Sequence, residues 1–173
     1  MQLLWINLMS DIFPGLALAL EPPEPDVLTR PPRDPKEEIL QRSSLGKMFV
    51  ESAVISAGSL GAYGYGIARY GRGPQAATLA FLSLTVGQLL HALSCRSDTK
   101  TIFDSQRMPP NRYLTSALAW SLGLQAIAML IPGLRRLLNI SPIGITDGIV
   151  VAGGAVLPLI ANEGIKKIRR GGP

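Results

Sequence analysis

Asn7, Ser10 and Asp11 stand at i, i+3 and i+4 within an apolar run from Leu3 to Leu20. On a helix those spacings project from one face, so an amide, a hydroxyl and a carboxylate would present their oxygens together. Such a set is hard-ligand in character and suits a cation. The run is long enough to cross a bilayer, which takes about 20 mostly apolar residues, and Asp11 lies near its midpoint. A carboxylate there costs on the order of 2.5–3.5 kcal/mol on insertion scales, so it requires a cation, a positive side chain or water. Pro14 lacks an amide hydrogen and crowds the carbonyl of residue 10, which predicts a kinked or locally unwound helix, with Gly15 adding freedom. Broken helices of this kind form ion sites in transporters. The residues therefore read as an oxygen-lined cation site with no catalytic group; the blander alternative is an interhelical hydrogen-bond cluster beside a structural proline kink.

The elements that must position this stretch are themselves apolar. Of 173 residues 47% are hydrophobic and 17% charged, and mean hydropathy is +0.25. This composition describes an all-α polytopic membrane bundle better than a soluble domain. The formal charge of +5 and pI of about 9.7 would raise nucleic-acid binding in a soluble chain. Here the basic residues fall in short segments between apolar runs, so they report topology; the expected partner is the lipid bilayer, not nucleic acid. The single cysteine, Cys95, has no partner for an internal disulfide and reads as a small apolar residue near a helix end. The first residues lack the basic n-region and cleavage site of a signal peptide, so the first span is expected to stay in the mature chain.

Five spans are predicted, at about 3–20, 48–68, 76–93, 113–131 and 148–165, with connectors at 21–47 and 96–112 on one side. The first connector carries Glu21-Pro22-Pro23-Glu24-Pro25-Asp26 and Arg30-Pro31-Pro32-Arg33, too rich in proline for helix or sheet, and reads as a stiff aqueous loop. In the second run Gly58, Ala62 and Gly66 recur every four positions, a stripe that lets another helix approach closely. Pro74 is placed to open the third helix. Gln88 and His91 are the polar members of that run. Gln88 could lend a carbonyl oxygen to a buried cation or make an interhelical hydrogen bond, and His91 reads as interfacial or hydrogen-bonded rather than metal-ligating. Pro158 predicts a kink in the fifth run. Five spans place thirteen Lys and Arg on the side of the first and third connectors and the tail, against four on the other. The positive-inside rule makes the richer side cytoplasmic, with the N-terminus outside and the C-terminus inside.

Gln2-Leu3-Leu4-Trp5-Ile6-Asn7-Leu8-Met9-Ser10-Asp11, Pro14 and the proline-rich connector together resemble the sixth membrane helix and following cytoplasmic loop of type II, calcium-pump-like P-type ATPases. Arg107-Met108-Pro109-Pro110-Asn111 is similar to the loop before the ninth helix of that family. The resemblance covers essentially all of 1–173 and implies a C-terminal transmembrane domain holding the sixth to tenth helices. It implies that Asn7, Ser10 and Asp11 coordinate the transported ion and that Gln88 matches a site position on the eighth helix, glutamate in some pumps. It also implies an integral, multi-pass protein, expected at the plasma membrane, whose partner is the other half of a pump: the first five helices and the cytoplasmic domains.

Three departures limit what is implied. Ile12 follows the aspartate where the family often has glycine, and Ser10 replaces the usual threonine. Glutamine at Gln88 removes a negative charge, which favours at most one divalent cation or a different cation. Calcium, magnesium, manganese, sodium and protons all suit the oxygen set. The phosphorylatable Asp-Lys-Thr-Gly-Thr, the Thr-Gly-Glu and a nucleotide-binding domain are not in this sequence, so the chain is expected not to be catalytic alone, with ATP and Mg2+ belonging only to a complete pump. Two classes of function stand: the transport-domain part of an ATP-driven cation pump, or a non-enzymatic five-span protein, an inactive remnant serving as scaffold or leak pathway.

Overall fold

A computed structural model of the chain describes residues 1–23, 27–29, 42–97, 100–103 and 108–170, and every regular element among them is helical. The first apolar run forms α1 (Gln2–Asn7), a five-residue π turn (Leu8–Ile12) and α2 (Phe13–Ala19). After a short 3-10 turn at Val27–Thr29 come α3 (Arg42–Tyr70), α4 (Pro74–Ser94), α5 (Arg112–Leu130), the short α6 (Pro132–Leu137) and α7 (Ile145–Arg170). Most of the proline-rich connector, with Arg30, Arg33 and Lys36, lies outside the described residues, as does Arg107.

Four of the five predicted spans are long and apolar enough to cross a membrane: Gln2–Ala19, Pro74–Ser94, Arg112–Leu130 and Ile145–Ile168. The second, α3, is 29 residues long. At about 1.5 Å per residue that length is ample, but glycine, serine and tyrosine, with Lys47 and Glu51, dilute its apolar character. The chain is an all-α, polytopic membrane bundle.

Cross-helix contacts give the relative directions. Trp5 meets Gln125, Met9 meets Ser121 and Ala17 meets Asn111, so α1–α2 runs antiparallel to α5. Ser59 pairs with Ala80 and Glu51 with His91, so α3 and α4 are antiparallel. They are joined over three residues because Gly71 takes a left-handed conformation (φ 77°) and Pro74 opens α4 at its first turn. Gly87 faces Ala155 and Ser94 faces Glu163, so α4 and α7 are parallel. Parallel neighbours require a return between them, which α5 supplies.

The core forms where α3, α4 and α7 meet. A Cβ on Gly58 would lie 2.7 Å from Pro158 Cγ and collide with the Gly154 carbonyl; one on Gly66 would lie 2.6 Å from the Ala76 Cα. Pro158 has no N–H for that carbonyl, which rests against the bare face of Gly58, while α7 continues as one helix through the proline. The predicted small-residue stripe thus carries close approach to two different helices. Ala62, Leu79, Leu82 and Val151 fill the space between.

Candidate cation site

The π turn is the local answer to Pro14. A π turn opens the hydrogen-bond ladder by one residue, often at functional positions, and here it spans Leu8 to Ile12, so Ser10 and Asp11 lie within it. The sequence predicted a kink or unwinding; the structure keeps the helix and inserts a residue. Buried Ile6, Met9, Pro14 and Ala17 follow one another at spacings of three, five and three. The step of five is the inserted residue, and it turns Ile12 and Phe13 outward. Proline also leaves the preceding turn short of a donor, and the Ser121 hydroxyl donates to the Met9 carbonyl at 3.0 Å.

Within the turn the Ser10 hydroxyl lies 2.9 Å from both the Ile6 carbonyl and Asp11 Oδ1. Its single proton serves one acceptor at a time, so the carboxylate keeps open acceptor capacity. Asn7 and Asp11 are exposed and Ser10 is half-buried. The Asn7 side chain makes no hydrogen bond among the described residues. Around them Leu4, Leu8 and Leu16 are exposed as well, so the polar group stands on a side of α1–α2 that no other described helix covers.

Gln88 is not hydrogen-bonded to these three. α4 packs against the π turn, and Gln88 Oε1 is buried without a hydrogen-bond partner, so the interhelical bond considered for it is not made. Gly15, placed beside Pro14 for freedom, continues the α2 helix and has open space around it.

Three polar clamps hold the segment, and none was apparent from the sequence. Trp5 Nε1 donates to Gln125 Oε1 at 2.8 Å. Gln2 Nε2 donates to the Leu138 carbonyl at 2.7 Å. At the far end Glu21 receives Arg96 (2.6 and 2.8 Å) and Asn111 Nδ2 (2.6 Å), while Asn111 also donates to the Ala17 carbonyl at 3.0 Å and caps α5 through Leu114 N. Both Arg96 nitrogens converge on Glu21 Oε1 and Asn111 takes Oε2, and charge-assisted contacts of this kind are the stronger hydrogen bonds. They fix the end of the broken span to the starts and ends of its neighbours.

A second ionic group lies in the α3–α4–α7 core. Glu163 Oε1 accepts from Ser94 and from Lys166 Nζ at 2.8 Å, Glu163 Oε2 accepts from Ile102 N at 2.7 Å, and Lys166 Nζ also donates to the Ser94 carbonyl at 2.5 Å. Lys166, counted with the basic tail, is therefore a buried partner rather than a solvated charge. His91 Nε2 lies 3.7 Å from Glu51 Oε2. The rule that singled out Asp11, an acid inside an apolar run, applies equally to Glu51 and Glu163. Among the described residues no three His, Cys, Asp or Glu side chains gather as a metal group.

At the opposite end Tyr70 donates to Asp147 Oδ2 at 2.8 Å. That bond to a carboxylate raises the tyrosine pKa above its ordinary value, and burial adds to the rise.

Fold and site together define a polytopic helical membrane protein with an oxygen-bearing, π-broken span. The family described as cation transporting ATPase, C-terminus, matches residues 1–168, and the chain belongs to that family. It is similar to the calcium-transporting ATPase of Bacillus subtilis, 33% identical over 91% of this chain, and to the calcium-transporting ATPase type 2C member 2 of Rattus norvegicus, 34% identical over 96%. The calcium-transporting ATPase type 2C member 1 of Homo sapiens is 31% identical over 98% of the chain. The chain spans 18% of the length of each of these relatives. The match is thus to the C-terminal membrane region of P-type cation-transporting ATPases, and the chain is an integral, multi-pass membrane protein.

Proposed function

We propose that this chain supplies the sixth-helix share of a pump's cation site, with Asn7, Ser10 and Asp11 as ligands and Gln88 as a further oxygen donor from α4. The observation that carries this reading is the placement of Asn7 and Asp11 on the uncovered side of a π-broken span. A carboxylate facing lipid is costly, so that side calls for a covering partner. The 18% share of the relatives' length supports other pump helices in that place, with ATP hydrolysis and its Mg2+ located outside this chain. Five crossings, starting outside and ending in the cytoplasm, are supported by the alternating helix directions and by the excess of basic residues on one side. One carboxylate and neutral Gln88 favour a single divalent cation, calcium on the strength of the relatives' names, as the transported substrate.

A chimera tests this: residues 1–168 replace the matching region of the Bacillus subtilis relative, and ATP-driven calcium uptake into vesicles is measured. Uptake is expected in the chimera, with apparent calcium affinity falling by about tenfold or more for Asp11→Asn. Uptake unchanged by Asp11→Asn and Asn7→Ala would overturn the site, and two calcium ions bound per pump would overturn the stoichiometry.

A further inference from the structure

The end of the bundle that carries α6 holds a basic cavity remote from the π turn. Pro132, Arg135, Arg136, Asn139 and Ile140 line about 370 Å³ there. The two arginines come from the last turn of α6, and Asn139 from the turn that follows, at φ 51°. No Asp or Glu occurs between Asn111 and Asp147, and among the described residues neither guanidinium is in an ion pair. Arg135 Nε is buried with no hydrogen-bond partner. Two guanidiniums and an amide converging without an acidic neighbour are suited to a phosphate, which guanidinium forks bind bidentately.

The surroundings name the source of that phosphate. α6 starts two residues after Leu130, the last residue of the α5 span, so the cavity lies at a membrane boundary. Beside it Leu130, Ile131 and Leu137 are 76%, 46% and 56% exposed. Leu138 is buried and its carbonyl takes the Gln2 amide at 2.7 Å, so the segment is tied down rather than free to fold over its own arginines. A free phosphate would leave the three apolar side chains uncovered, whereas a lipid covers them with its acyl chains. We propose that this cavity binds the phosphodiester headgroup of an anionic phospholipid, with Arg135 and Arg136 on the phosphate and the acyl chains along Leu130, Ile131 and Leu137. A guanidinium pair holds a phosphodiester through this chemistry wherever the adjoining leaflet carries an anionic lipid.

The full 173-residue chain is purified in micelles containing equimolar phosphatidylglycerol and phosphatidylcholine, and retained lipid is counted by native mass spectrometry. Phosphatidylglycerol is expected to be retained preferentially, with a loss of about fivefold for each arginine replaced in Arg135→Gln and Arg136→Gln. Arg136 is exposed and its side chain makes no hydrogen bond or ion pair among the described residues, so Arg136→Gln alone decides the matter should the double variant not fold. Equal retention of both lipids by the wild type would overturn the proposal, and so would retention that Arg136→Gln leaves unchanged. Displacement of phosphatidylglycerol by millimolar inorganic phosphate would reassign the cavity to a free anion and likewise overturn it.

Discussion

α1–α2 and the α3–α4–α7 core solve the burial of polar groups in opposite ways. In the most apolar stretch of α4 56% of residues are buried, against 22% in Gln2–Ala19. The core brings backbones together at Gly58, Gly154 and Gly66 and encloses Glu163 with Lys166, each satisfying the other. The broken span is held by hydrogen bonds at a few heights and keeps its own carboxylate outward. An ionised group locked inside a finished network is structural, whereas one with open acceptor capacity on an uncovered side can still exchange a ligand. The difference is between a closed polar network and an open polar group within one chain.

The sharpest way to break that distinction is at the core. Glu163→Ala leaves Lys166 buried without its counter-charge, and the expected loss is about 3–5 kcal/mol, read from denaturant unfolding of the purified chain in detergent. Gly58→Val comes next. Its new side chain meets the Gly154 carbonyl and Pro158, and overpacking of this kind costs about 1–3 kcal/mol, with loss of the close α3–α7 contact visible by cross-linking. At the clamps, Trp5→Phe removes the donor to Gln125, and interhelical hydrogen bonds in membranes average about 0.6 kcal/mol with a ceiling near 1.7. The smallest effect belongs to Asp11→Asn, which should stay within about 0.5 kcal/mol in the isolated chain while altering calcium uptake in the chimera. If Asp11→Asn destabilises the chain as much as Glu163→Ala does, the two regions are not different in kind.

Much of this was legible in linear sequence. Hydropathy placed the five long helical segments to within a few residues, apart from α3, which starts at Arg42 rather than near Met48, and α7, which ends at Arg170 rather than near Ile165. Charge and glycine are local signals too, so the close-packing stripe and the opening of α4 by Pro74 could be read directly. The break at Pro14 was foreseen, but its form was not: whether a helix answers a proline by unwinding or by a π turn depends on who replaces the missing donor, and Ser121 is 112 residues away. The clamps at Gln125 and Glu21 were invisible for the same reason. The burial of Lys166 could not be read in the sequence, because a lysine after an apolar run looks like part of a basic tail until a buried carboxylate is seen beside it.

By itself the sequence determined the class of protein, the approximate positions of its long helices and the oxygen-bearing residues of one helix, because burial in lipid imposes length and composition on each segment separately. Only the tertiary structure decided which polar residues are locked into networks and which stand open, since that depends on groups far apart in the chain arriving at the same height in the bundle.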